Sequence, residues 1–208
     1  MSPQGFIDDP FKNQGALAEK GYDLDVNYRF NVGGFGKLNM NLVGTYMDEM
    51  TVTPLKSLPS TSFGCAGYFG NNCTWDNGPN FRWRHSLRGT WETPWHGLDV
   101  SLAWRYFGKV TMDQLSSNPN LNPGPNCTVA SGCISNTDTH LPSISYLDLS
   151  AAIQISNAVN FRLGVNNLLD KDPPVIGSSN CVGCNGNVYN SVYDALGRYI
   201  FGTFTMQF

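Results

Sequence analysis

FRWRHSLRGTWETPWHGLDVSLAWRYF, residues 81 to 107, decides the fold. Phe81, Trp83, His85, Leu87, Gly89 and Trp91 alternate with Arg82, Arg84, Ser86, Arg88, Thr90 and Glu92. A short turn, TPWHG, fills residues 93 to 97. Leu98, Val100, Leu102, Trp104 and Tyr106 then alternate with Asp99, Ser101, Ala103, Arg105 and Phe107. Successive side chains of a β-strand point to opposite faces. The stretch therefore reads as two antiparallel strands, each apolar on one face and polar on the other.

The same period runs outward in both directions. Upstream, Tyr22, Leu24, Val26, Tyr28 and Phe30 share a face, and a Gly-rich turn (NVGGFG, residues 31 to 36) leads to Leu38, Met40, Leu42, Gly44 and Tyr46. Downstream, Leu147, Leu149, Ala151, Ile153 and Ile155 precede the short turn SNAV and then Phe161, Leu163 and Val165. The last stretch, GRYIFGTFTMQF from Gly197 to Phe208, places Ile200, Gly202, Phe204, Met206 and Phe208 on one side. This makes about seven strands of roughly 9 to 13 residues, long enough to cross a bilayer at a tilt.

The connections alternate short and long. Residues of about 50 to 79, 112 to 141 and 171 to 195 are rich in Pro, Gly and Asn and read as long loops. Alternate connections of a meander lie at the same end, so the three long ones share one end of the sheet. Short turns at one end and long loops at the other are the pattern of an outer-membrane barrel. The expected fold is an all-β, antiparallel up-and-down transmembrane β-barrel, here a fragment of about seven strands forming a curved open sheet. Residues 1 to 19 read as irregular, the end of a truncated extracellular loop, and residues 20 to 208 as barrel strands. A soluble sandwich also alternates, but its strands rarely keep five apolar positions on one face in succession.

Composition removes other classes. The formal net charge is −3, so the chain has no basic surplus with which to hold nucleic acid. No run of 18 apolar residues exists, which excludes a transmembrane helix and leaves a barrel untouched. The opening MSPQGFIDDPF lacks the basic start and apolar run of a secretory signal. The six cysteines form three close pairs, Cys65 with Cys73, Cys127 with Cys133, and Cys181 with Cys184, each inside one long connection. Local disulfides, which need an oxidising compartment, free thiols, and a zinc site at Cys181-Val-Gly-Cys184 are the alternatives.

FRLGVNNLLDKDPPVIG (residues 161 to 177) and YDALGRYIFGTFTMQF (residues 193 to 208) resemble the C-terminus of TonB-dependent outer-membrane receptors. The match is carried by Asn167, Leu168, Leu169, Asp170 and Lys171, then by Gly197, Arg198 and the terminal aromatic Phe208. Leu169 stands where the family has an aromatic. KGYDLDVNYRF, FRWRHSLRGTW and WRYFGKV are also similar to the family. The resemblance implies TonB-coupled uptake, across the outer membrane of a Gram-negative bacterium, of a siderophore, cobalamin, haem or an oligosaccharide. It implies outer-membrane lipids, the TonB complex (through an N-terminal region not in this chain), the barrel-assembly machinery and a small-molecule solute as partners. A plug domain would precede the barrel, and Phe208 would act as the assembly signal. A passive porin-like or structural barrel and a soluble sugar-binding β-domain are the competing readings.

No constellation for catalysis stands out, and no cofactor or metal is expected. His85, His96 and His140 are scattered, and His85 and Ser86 face opposite ways. The polar face is the better candidate. Arg82, Arg84, Arg88 and Arg105 share it and could contact an anionic or hydroxyl-rich solute; cross-strand charge pairing of an ordinary barrel lining explains them equally. Tyr68 and Trp75 in the first long connection could stack on a ligand, although loop aromatics often pack the loop itself.

Overall fold

The structure is a computed structural model and describes residues 15–74, 78–95, 97–124, 138–177, 181 and 183–207. Its strands are β1 (Ala16–Asn31), β2 (Lys37–Thr53), β3 (Phe63–Gly64), β4 (Tyr68–Phe69), β5 (Trp83–Glu92) and β6 (Leu98–Phe107). They continue with β7 (Val110–Met112), β8 (His140–Leu141), β9 (Ile144–Ser156), β10 (Val159–Asn166) and β11 (Tyr199–Met206). Eight of them form the main sheet: seven in the order β1-β2-β5-β6-β9-β10-β11, with β3 beside the end of β2, every neighbour antiparallel. β1 and β11 each pair on one side only, so the sheet is open, as the alternating pattern predicts.

The register aligns the faces across all seven strands. One row runs Tyr28, Met40, Gly89, Leu102, Leu149, Val165, Ile200. The next row, on the opposite face, runs Arg29, Asn39, Thr90, Ser101, Ser150, Gly164, Phe201. A one-residue slip anywhere would reverse a whole strand, so the match of each row fixes the pairing. The apolar face is uncovered: Tyr28, Leu102, Leu163, Ile200 and Phe204 are all exposed. A sandwich would bury these residues under a second sheet.

The core lies at the long-connection end. Phe69, Phe81, Val110, Met112, Leu141, Tyr146, Ile176, Val188, Tyr189 and Tyr193 form one buried cluster drawn from all three long connections. β4 of the first connection pairs in parallel with β7 of the second, and β8 pairs with β7. A second cluster joins Met50, Val52, Phe63, Cys65, Ala66, Cys73 and Leu121. The long connections thus fold on one another as a cap. Phe81 does not stay on the apolar face, where its parity puts it. β5 starts only at Trp83, and Phe81 packs against Phe107 and Tyr193 inside the cap.

β1 begins at Ala16, inside the stretch that reads as irregular. Its partner β2 carries a bulge at this level. Gly21 pairs with Met47 and Lys20 with Glu49, which leaves Asp48 as the extra residue. Beyond it the faces of β2 exchange, so its two-residue period breaks although pairing continues to Ala16 and Thr53; in β1 the alternation runs on, with Lys20 on the parity of Tyr22 and Leu17 on that of Asp23. The exchange turns Met50 and Val52 into the second cluster.

Candidate functional site

The polar face is a lattice of cross-strand contacts. Thr45 donates to Asp23 at 2.9 Å, and Asn41 donates to Asn27 at 2.7 Å and to Asp25 at 3.3 Å. Glu92 accepts from Arg29 at 2.7 and 3.0 Å and from Asn39 at 2.5 Å. Thr90 and Ser101 share a hydrogen bond of 2.8 Å. Each joins groups on strands adjacent or next but one, where side chains of one face come within reach.

The four nominated arginines divide. Arg82 donates to the backbone carbonyl of Asp48 at 3.0 Å and lies along Gly67. Arg105 is clamped between two carboxylates: Nε and Nη2 donate to Asp148 at 2.7 and 3.0 Å, and Nη1 and Nη2 donate to Asp194 at 3.1 and 2.5 Å. Its guanidinium also sits 4.9 Å from the centre of the Tyr146 ring, a cation–π distance. Asp148 belongs to β9 and Asp194 to the third long connection, so Arg105 ties the cap to the sheet.

Arg84 and Arg88 are exposed and have no hydrogen bond or ion pair among the described residues. Arg84 borders a cavity of about 320 Å3, with Glu19, Met50, Asn80 and Val192 in its lining. Arg88 borders a smaller cleft of about 210 Å3 with Asn27, Arg29 and Asn41. Tyr68 is half-buried in β4 and packs against the second cluster, so its ring serves the cap. The structure pairs Cys65 with Cys73 and Cys181 with Cys184. Trp75, His96, Cys127, Cys133 and Phe208 lie outside the described residues.

A larger cavity, about 650 Å3, lies between β10, β11 and the third connection. Asn166, Asn185, Asn190, Asp194, Leu196 and Tyr199 are among its lining. None of the nominated residues reaches it. In the sequence its asparagines are three of the six between residues 166 and 190, around a Gly-rich loop, with no period to mark them.

The segment that carries the family resemblance has a local structural explanation. Asn167 is fully buried and takes a left-handed φ of 52°. Its amide donates to the Lys171 carbonyl and its side-chain oxygen accepts from the Lys171 N–H, both at 2.9 Å. Its backbone N–H donates to Asp148 Oδ1 at 2.9 Å. Asp170 Oδ1 accepts from the Arg198 N–H at 2.8 Å, after Gly197 has turned the chain with φ 70°. Asn167, Asp170, Lys171, Gly197 and Arg198 thus staple the end of β10 to the start of β11.

Asp113 is the buried carboxylate of the cap. Oδ2 accepts from the N–H groups of Asn72 and Cys73 at 2.8 and 3.2 Å, while Oδ1 has no hydrogen-bond partner among the described residues. Burial pushes its pKa above the ordinary 3.8, against the backbone hydrogen bonds that pull it down. The folded state therefore binds this proton better than the unfolded one. The contribution favours folding below 3.8 and is lost as pH rises through the folded value. Asn at this position keeps the acceptor and removes the charge. Asp113→Asn is expected to stabilise the cap at pH 7 by about 1 kcal/mol and to flatten its pH dependence. Melting curves at pH 4 and pH 7 check this; a variant less stable than the parent at pH 7 sinks it.

Comparison with known families returns no match, and no curated protein matches by sequence. Among solved structures, a point mutant of the ferric enterobactin receptor of Pseudomonas aeruginosa matches with a TM-score of 0.53 and 16% identity. The match covers 90% of this chain and 22% of that receptor, so the chain spans under a quarter of the length of the barrel protein it resembles. At that identity the likeness establishes the fold: the seven strands are built as an open stretch of antiparallel barrel wall.

Proposed function

We propose that this chain is part of the barrel wall of an outer-membrane transporter of the TonB-dependent kind, which admits a large, scarce solute without altering it chemically. The carrying observation is the apolar face, continuous over seven strands and covered by none of the described residues, opposite a polar face with the cap at its long-connection end. Such a face is stable against hydrocarbon and a liability in water. Aromatic side chains bound it: Trp83, Tyr46 and Tyr106 toward the cap, Phe30, Trp91 and Trp95 toward the short turns. Trp83 and Trp91 stand eight residues apart, about 26 Å along the strand, which a tilt of about 40° reduces to about 20 Å. That is near the height of an apolar barrel band. In this reading the cap lies outside the cell, where its disulfides persist, and the coupling to TonB comes from a region outside this chain.

Two measurements test the reading. Leu102 is 47% exposed in the middle of the apolar face. Leu102→Arg is expected to cost about 2–4 kcal/mol in lipid, whereas Leu115→Arg on the exposed surface of the cap stays within about 0.5 kcal/mol. Urea titration in vesicles measures both, and a neutral Leu102→Arg removes the lipid contact. In intact cells, a membrane-impermeant amine reagent is expected to label Lys56 in the cap, and Lys37 at the short-turn end only after lysis. Recovery in the soluble fraction, or the reverse labelling, counts against the proposal.

A further inference from the structure

Two disulfides lie among the described residues of the cap, and they differ in exposure and in what surrounds them. We propose that Cys181–Cys184 is a thiol-exchange site, reduced in the folded protein by a small dithiol, and that Cys65–Cys73 is a structural bond closed to the same reagent. The inference goes beyond the transport reading and does not depend on it.

Exchange starts when an external thiolate attacks a disulfide sulfur, so access governs it. Cys65 and Cys73 are fully buried in the second cluster, among Met50, Val52, Phe63, Ala66 and Leu121. The backbone around them is fastened as well. The Cys65 N–H donates to the Met50 carbonyl at 2.7 Å, the Cys73 N–H donates to Asp113 at 3.2 Å, and the Asn80 amide donates to the Cys73 carbonyl. A thiolate reaches these sulfurs only after the cluster opens, and opening costs the local stability of the fold.

Cys181 and Cys184 are partly exposed and pack against the first cluster without belonging to its buried set. Gly183 is exposed, takes a φ of 78° and has no side chain to shield the sulfurs beside it. The cysteines are three positions apart, so the thiols formed on reduction stay close and the bond closes again readily.

The fold around the pair does not hang on it. The Ile176 N–H donates to the Asn187 carbonyl at 2.9 Å and closes the loop outside the disulfide. Asn185 and Val188 exchange backbone hydrogen bonds at 3.1 and 3.3 Å. Val188, Tyr189 and Tyr193 are buried in the first cluster, and Arg105 holds Asp194. Reduction therefore leaves the third connection in place. What it alters is one wall of the cavity of about 650 Å3, because Asn185 and Gly186, which follow Cys184 directly, line it. The disulfide tethers that wall to Cys181, and the dithiol form releases it. The site couples the thiol content of the medium to the shape of the cavity.

The reductant is the dithiol. One of its thiolates bonds to one cysteine sulfur, the Cys181–Cys184 bond breaks, and the other cysteine leaves as a thiolate. The second thiolate of the reagent then displaces the first cysteine, and the reagent closes to a cyclic disulfide. Two electrons pass to the cysteines, whose thiolates take protons from water.

The test treats the full-length protein in detergent with dithiothreitol at pH 8, quenches samples over time with N-ethylmaleimide and maps the peptides by mass spectrometry. Mapping keeps Cys127 and Cys133 out of the comparison. Cys181 and Cys184 are expected to be alkylated about 100-fold or more faster than Cys65 and Cys73, with the circular dichroism spectrum unchanged. Oxidised glutathione, added after the dithiothreitol is removed, is expected to restore the bond. Cys181→Ser with Cys184→Ser is expected to abolish the fast labelling and to leave the rate at Cys65 and Cys73 as it was. Amide hydrogen exchange at residues 184 to 187 is expected to rise on reduction while that of β10 and β11 holds. Equal rates at the two pairs, labelling of Cys181 and Cys184 that waits for urea, or labelling without reductant overturns the proposal. Amide exchange unchanged by reduction overturns the coupling to the cavity.

Discussion

Arg105→Ala is expected to release the cap from the sheet and to lower stability by about 3 kcal/mol. The guanidinium makes four hydrogen bonds to Asp148 and Asp194, and the three side chains are only 25%, 16% and 24% exposed. Removing it leaves two carboxylates facing each other with little water. Breaking a fully buried pair costs about 3–5 kcal/mol; partial exposure here sets the low end. The loss comes from the stranded charges more than from the pair itself, so removing one of them recovers part of it. Arg105→Ala with Asp194→Ala is expected to lose less than the sum of the two single changes, by about 1 kcal/mol or more. Urea unfolding gives the energies, and proteolysis reports the cap: cleavage between residues 183 and 196 is expected to accelerate in the single variant. A loss under about 0.5 kcal/mol with unchanged cleavage would show that the hydrophobic cluster alone holds the cap.

Asn167→Ala is the second large effect, expected at about 2–3 kcal/mol. Two contributions add. The side chain closes a five-residue loop by donating to and accepting from Lys171, and each such bond is worth about 1 kcal/mol. The backbone is left-handed at φ 52°, which costs an ordinary L-residue about 1 kcal/mol or more and Asn less. The contributions separate by substitution. Asn167→Gly relieves the backbone and forfeits both side-chain bonds, so it is expected to recover about 1 kcal/mol relative to alanine. Asn167→Asp retains the bond from the Lys171 N–H and loses the one to its carbonyl. Equal losses for Ala and Gly would show that the left-handed turn carries no strain.

The wall was legible in the sequence and the cap was not, for a physical reason. Leu98 to Tyr106 and Leu147 to Ile155 alternate because one face must be apolar along the whole strand, and that requirement acts at every second residue. The order β1-β2-β5-β6-β9-β10-β11 is a meander, with each long strand beside the next and short turns alternating with long connections. In the cap no such requirement acts. Tyr68–Phe69, Val110–Met112 and His140–Leu141 are two or three residues long, too short for any period, and each pairs with or packs on a segment far away in the chain. Arg105 and Asp194 are 89 residues apart, so nothing local announces their contact. The bulge at Asp48 is a further case: it exchanges the faces of β2 without interrupting its pairing with β1, and a reading of β2 based on period stops where the structure continues.

The candidate site divided along the same line. Parity correctly placed Arg84, Arg88 and Arg105 on the polar face, because a strand position fixes its side. Parity could not say that Arg105 is occupied by two carboxylates while Arg84 stands open beside a cavity. It also passed over Asn185 and Asn190, whose placement depends on how the third connection folds back over β10 and β11.

The staple formed by Asn167, Asp170, Lys171, Gly197 and Arg198 bears on how such chains are compared. Its hydrogen bonds run between backbone groups and the two side chains of Asn167 and Asp170, and they fasten one strand end to the next. None of these contacts is aimed at a passenger. Such contacts are masonry, and two barrels built with them need have no cargo in common. Differences between such walls have to be sought in side chains that the joinery leaves unused, such as Arg84 and Arg88.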